Sequence, residues 1–452
     1  MGGLAFSSGE NPLYTPRMPT AVYDQVRDEC HAKLRELFVV VATPIPGPAK
    51  EDHGDIDIFM TWERRVLFPS SSQQQDLPQD PLDAAAQLLN AQRTKKEQAA
   101  VWALAIPWPE NMLPPSEEGT NAKQPFIQVD VHLSPSLEDL QWMLFKHAHG
   151  DLWNLLGSTI RPFGLTVDGV GLYVRIPEIE AHHRKQARVL LTTDAHEVLN
   201  FLGLSAAEGR WEEPFRSTQE VFEYATTCRL FWVRPESDSE VDGVGGDVGG
   251  EEGGAAGAMG GTFEPQTLKS NDRRRMKYRP LYRAWVDEFL PSCRASGRFA
   301  TSLDSPTRDS VREEALTRFS GARVEYKTRL LEWRKLRQKE MLWKDVIKEA
   351  LPETLEPWWR SCCAAALKKI IMQDDKSFGF TPSEPLRDAD GMYVESRVRS
   401  FVERSWKQIG DEAWKQNHDR FEARKTAKES KSMRSVSDNE KKDGYVEMKD
   451  AK

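Results

Sequence analysis

Cysteine is scarce in this 452-residue chain, and none of it falls in a pairing or zinc-binding pattern: Cys30, Cys228, Cys293, Cys362 and Cys363 include no CxxC. That usage excludes a disulfide framework and a cysteine-built structural zinc site, and points to free thiols in a reducing compartment. Long apolar runs are also missing, so no bilayer-spanning segment and no membrane association are expected. The N-terminus carries no basic stretch followed by an apolar one, and Phe6 stands where a myristoylation signal requires Ser or Thr. The expected location is the cytoplasm or nucleus. A net charge of -8 excludes a uniformly basic nucleic-acid coat protein, and no internal repeat is evident.

What is present is an ordinary hydrophobic fraction, 39%, spread over a chain too long for one core. Val22, Val26, Cys30, Leu34 and Phe38 recur at helical spacing and predict an amphipathic helix over 20–38. Phe38 to Thr43 reads as a buried strand, Pro44 to His53 as a loop and Asp55 to Thr61 as the next strand. A polar loop over 69–80 leads into a helix expected to run to about Gln98, and segments 99–106 and 126–133 are further strands. From 135 a more helical texture begins, interrupted by Asp168-Gly169 between apolar runs, a hairpin signal, and by strand Val189 to Thr192. Asp194 with Glu197, and Ser217 with Glu220, have the spacing of helix starts.

Residues 237–263 are rich in glycine and acid and hold no Lys or Arg, a composition that cannot bury enough apolar area to order itself. Basic residues follow densely, and helices are expected over 310–350, 355–373 and 392–425. The predicted organisation is an α+β core with a mixed sheet and flanking helices at 1–135, a second α/β segment at 136–235, and a flexible acidic linker or insertion at 236–265. A helical region at 266–425 and a disordered tail at 426–452 complete it. The insertion reading arises because Phe222 to Val233 and the helix near Tyr278 would then pack together.

The segment Gly54-Asp55-Ile56-Asp57-Ile58 carries the chemistry. Alternate residues of a strand share a face, so Asp55 and Asp57 project together while Ile56 and Ile58 enter a core. In Phe126 to Leu133, Val129, Val131 and Leu133 would be buried, with Gln128, Asp130 and His132 on the opposite face. Three strand-borne carboxylates suit a hard divalent cation and phosphoryl chemistry.

These residues, with the helix and strand before them, resemble the DNA-polymerase-β-like nucleotidyltransferase superfamily over residues 1 to 133. The resemblance implies a nucleotidyltransferase-like sheet, with Asp55, Asp57 and Asp130 as catalytic residues and ligands of Mg2+, or of Mn2+ in its place. Asp130 is also implied to orient or deprotonate the acceptor hydroxyl. The partners implied are an NTP and an acceptor that is RNA, protein or a small molecule; base preference and oligomeric state are not legible. The chain departs from the family at its Gly-Ser signature. The phosphate-cradling candidates are Gly47 before Pro48, and the distant cluster Gly2, Gly3, Ser7 and Ser8, which would have to fold back as a nest.

Lys50, Lys146 and Arg161 are candidate triphosphate contacts. Arg273, Arg274, Arg275 and Lys277, followed by Tyr282 and Trp285, are candidates for nucleic-acid contact, against a solvated helix start as the plain alternative. His53 and His132 read as polar neighbours of the aspartates, and the tryptophans at 333, 343, 358 and 359 read as core. Two alternatives stand beside the transferase: a metal-dependent glycosyltransferase, disfavoured because no strand–helix alternation precedes the motif, and a non-catalytic scaffold of the same fold that binds RNA or protein.

Overall fold

The computed structural model describes residues 3–48, 50–69, 77–114, 124–206, 209–233, 270–300 and 306–446. The acidic stretch expected at 236–265 lies outside them. Two compact units divide the chain, Met1–Tyr326 and Lys327–Lys452. The architecture is mixed α/β with a helical C-terminal region, as the apolar periodicities predict.

The first unit is built on a five-stranded mixed sheet in the order Phe38–Ala42, Asp55–Glu63, Phe126–Leu133, Val101–Pro107, Arg93–Gln98. All neighbours are antiparallel except Asp55–Glu63 and Phe126–Leu133, which run parallel. Period-two alternation sets the faces. Ile56, Ile58, Met60, Trp102, Leu104, Ile127, Val129 and Val131 form one core with Val22, Val26, Cys30 and Leu34 of the helix Thr20–Leu34 and with the helix Pro81–Leu88. The first helix stops at Leu34 rather than at 38, because Phe38 opens the edge strand at the end of a short turn.

The helix expected to continue to Gln98 ends at Leu88, and Arg93–Gln98 is an exposed edge strand instead. Its polar residues have no apolar period of either kind, and charge at a sheet edge is what discourages pairing with another chain. The second sheet is antiparallel, Leu165–Val167, Leu172–Arg175 and Arg188–Thr192, with the Asp168-Gly169 turn where the hairpin was expected. Asp194 and Ser217 accept hydrogen bonds from the backbone of Glu197 and Glu220, so both helix starts form as their spacing predicts.

Trp285 packs against Phe222 and Phe231, with ring centroids 5.2 and 5.4 Å apart, and Val233 donates to the carbonyl of Phe299 at 2.8 Å. The chain on either side of the acidic stretch therefore packs together within one unit.

The second unit contains a π-helical turn at Leu342–Lys348, the helix Pro357–Gln373 and the long helix Glu395–Val446. Its core includes Ile347, Cys363, Leu367, Ile371, Val398, Val402 and Ile409. The last helix passes the expected end at 425 and covers most of the tail predicted as disordered; Lys, Glu, Arg and Ala in that stretch are strong helix formers. Among the described residues no helix is long and apolar enough to cross a membrane.

Candidate active site

Gly54, itself buried, turns the chain into the strand Asp55–Glu63, and the parallel register then sets Asp57 beside Asp130 and Asp55 beside Gln128. Because the partners of a parallel pair point the same way, four polar side chains gather on the face away from the main core. Gln128 is almost fully buried and fully used. Its Nε2 donates to both carboxylate oxygens of Asp130, at 2.9 and 3.1 Å, and its Oε1 accepts from the backbone N–H of Ala5 at 2.9 Å.

That last bond ties down the N-terminal segment. Phe6 is buried over Ala103, Ala105 and Phe126 on the same sheet face, and Thr15 donates to the carbonyl of Gly3 at 2.8 Å. Gly3 has φ +83°, and a Cβ on it would lie 2.3 Å from the carbonyl oxygen of Gly54, so only glycine fits this approach. Gly3 is thus brought to the edge of the aspartate site, and Gly2 lies outside the described residues. Ser7 and Ser8 are exposed, and the Ser7 hydroxyl donates to the carbonyl of Leu4. The backbone of Gly47 packs against Gly150.

The three carboxylates are electrostatically unequal. Burial and the charge of Asp57 push Asp55 above the usual carboxylate range. Burial raises Asp130 to about 7, with the charges of Asp55 and Asp57 adding to the effect and the Gln128 hydrogen bond opposing it. Asp57 goes the other way. Burial alone would raise it, but the neighbouring His132, then His147 and Lys50, outweigh that and hold it low. His132 Nε2 stands 3.4 Å from Asp57 Oδ1 without hydrogen-bond alignment, and its ring stacks on Phe59 at 4.3 Å.

Among the described residues, no three His, Cys, Asp or Glu side chains already stand at the spacing of a metal cage. The donor set nevertheless fits a hard dication in kind: three carboxylates, two of them with acidity weakened by burial and then by neighbouring negative charge.

The remaining candidates separate. Lys50 is exposed and its charge reaches Asp55 and Asp57. His53 is turned away, buried and stacked on Tyr23 at 3.8 Å, which corrects its expected place on the exposed face. Lys146 lies over the Trp153 ring in the field of Arg275 and Arg279, and Arg161 pairs with Asp272 at 3.5 Å. Arg275 is likewise committed, bonded to the buried Asp272 at 2.6 Å and to Asn154 at 3.2 Å. Arg273, Arg274 and Lys277 are exposed along the helix Ser270–Tyr278. The anchoring role of Gln128 was not anticipated; its place two residues before Asp130 on one strand face was the available signal.

No protein-family model matches this sequence, and no curated protein matches it.

Proposed function

We propose that the chain is a metal-dependent nucleotidyltransferase that moves a nucleoside monophosphate from an NTP to an acceptor hydroxyl or phosphate. The observation that carries this reading is the parallel register that pairs Asp57 with Asp130 and Asp55 with Gln128 on one sheet face. The superfamily resemblance of Gly54-Asp55-Ile56-Asp57-Ile58 and Asp130 leads to the same chemistry, and the approach of Gly3 to Gly54 supplies a glycine at the site's edge.

In this reading Asp55, Asp57 and Asp130 would hold Mg2+ or Mn2+. When bound, the metal would neutralise phosphate charge and stabilise the attacking and leaving oxygens of an in-line displacement. Asp130 would also be placed to orient the attacking hydroxyl or take its proton. Gln128 fixes the orientation of that carboxylate, and Lys50 would approach the phosphates as a mobile point charge.

The second reading is a non-catalytic scaffold of the same fold. What favours it is the bidentate engagement of Asp130 by Gln128 together with the lack of a formed three-ligand set among the described residues.

Both are tested by incubating wild-type protein and Asp55→Ala/Asp57→Ala with Mg2+, each labelled NTP and mixed RNA, protein and small-molecule acceptors. The transferase predicts label transfer that falls at least about 100-fold in the double variant, the scale for removing transition-state charge stabilisation. Absence of transfer by wild type, with no metal-dependent NTP binding, would leave the scaffold. That reading predicts salt-sensitive RNA binding that survives Asp55→Ala and weakens in Arg273→Gln/Arg274→Gln.

A further inference from the structure

The helical unit carries a cleft of about 550 Å³ between the start of Pro357–Gln373 and the exposed part of Glu395–Val446. Its size is within the roughly 300–1,000 Å³ of sites that hold small molecules or short segments. Three aromatic rings line it. Trp358 and Phe421 are each 64% exposed and Trp414 is 39% exposed, an unusual concentration of large apolar groups facing water. The cations Arg420 and Arg424 stand among them with His418 and Asn417, and among the described residues no carboxylate is part of the lining.

The arrangement is built into both helices. Trp414, His418 and Phe421 are spaced at i, i+4 and i+7 and so share one helical face. Trp358 sits in a first turn fixed by Pro357 and by Glu356, whose carboxylate accepts from the backbone N–H groups of Trp358 at 3.1 Å and Trp359 at 2.6 Å. Asn417 donates to Cys362 Sγ at 3.0 Å, which ties the long helix to the shorter one at the cleft floor. The neighbour Trp359 packs into the core against Trp406. Trp358 is therefore not a residue that failed to find the core; the helix start aims it into the cleft.

We propose that this cleft is a binding site for single-stranded nucleic acid, with bases stacked on Trp358, Trp414 and Phe421 and backbone phosphates paired with Arg420 and Arg424. Exposed planar rings suit unpaired bases of any sequence, and guanidinium groups suit a phosphate chain; Glu422, between the two arginines in sequence, does not line the cleft. A duplex hides its base faces, so it would engage the arginines alone. The site belongs to the second unit and does not rest on the nucleotidyltransferase reading.

The test is intrinsic tryptophan fluorescence quenching of the full chain by a 12-nucleotide RNA of mixed sequence, its duplex and an acidic peptide of equal charge. Wild type is compared with Trp358→Ala/Phe421→Ala and Arg420→Gln/Arg424→Gln, with Arg273→Gln/Arg274→Gln to isolate any second basic site and circular dichroism to confirm folding. The aromatic variant should bind the single strand at least about tenfold more weakly with an unchanged salt slope. The arginine variant should lower the slope of log affinity against log salt by about 1.4, or about 0.7 for each lost phosphate contact. Equal binding by all variants, equal affinity for the duplex, or loss of the acidic peptide in parallel with the RNA would each overturn the proposal. These assays involve no nucleotide transfer, so their failure is distinct from failure of the aspartate site.

Discussion

In the sheet of the first unit, residues two apart in sequence share a face, and neighbours divide between core and site. Ile56 and Ile58 enter the core while Asp55 and Asp57 face the candidate site. In the helical unit two adjacent residues of one type also divide: Trp359 packs with Trp406, and Trp358 stands in an open cleft. The first division follows from strand geometry and residue polarity together. The second depends on a helix start and on which helix lies alongside, so the residue type carries no information about it. A polar site on a strand is announced by its residues, whereas an aromatic site on a helix looks like core until its neighbours are known.

The sharpest break of this comparison is at Gly410. A Cβ there would stand 2.1 Å from the Trp359 ring, so the two long helices of the second unit approach through a glycine. Gly410→Val would have to displace a ring held by Trp406. The expected cost is about 3 kcal/mol, the upper range for overpacking, since valine gives little helix propensity in return. Urea unfolding followed by tryptophan fluorescence measures it. In a Trp359→Ala background most of the cost should disappear, and a cost that persisted would show that the close approach is not its cause.

Next in size is Gln128→Ala, which tests whether the polar face of the first unit is as firmly built as the apolar one. The substitution leaves the Ala5 N–H without its acceptor and Asp130 without its two-oxygen contact. The expected loss is about 1–3 kcal/mol, the scale for an orphaned buried partner. A protease should also cut the segment before Thr15 faster than in wild type. Unchanged cleavage would mean that Phe6 alone holds the segment against Ala103, Ala105 and Phe126.

The legible parts of the molecule were those in which local pattern and tertiary fate agree. Strand alternation placed Asp55, Asp57 and Asp130 on one side, and short polar side chains marked the helix starts after Asp194 and Ser217. Strand Arg93–Gln98 carries no strand signal because an exposed edge needs no apolar period. His53 looked polar and exposed beside the aspartates, yet the pairing of its short strand with Met18–Pro19 turns it under Tyr23. Arg275 looked like a nucleic-acid contact because its acceptors, Asp272 and Asn154, include one from a helix more than a hundred positions away. Partner identity of that kind is set by tertiary contact and is absent from local sequence.

The smallest expected effect concerns Lys146, the one cation that sequence assigned to phosphate and the fold assigned to a crowded position over Trp153. Burial, then the charge of Arg275, lowers its pKa from the usual 10.5 to about 8, with Asp168 opposing and Arg279 adding. Between pH 10.5 and 8 the unfolded chain holds this proton more tightly than the folded one. Unfolding then takes up a proton, so this residue's contribution to stability falls as pH drops through that window and stays at its lowest below 8. Lys146→Met removes the charge and keeps much of the stem. Relative to wild type it should gain stability below pH 8, by about 1 kcal/mol after allowance for partial solvent access, and the gain should vanish toward pH 10.5. Urea midpoints of both proteins at pH 7, 9 and 10.5 measure the difference. A gain independent of pH would assign the effect to packing on Trp153, and a loss at pH 7 would mean that the ammonium is stabilised there by its neighbours rather than strained.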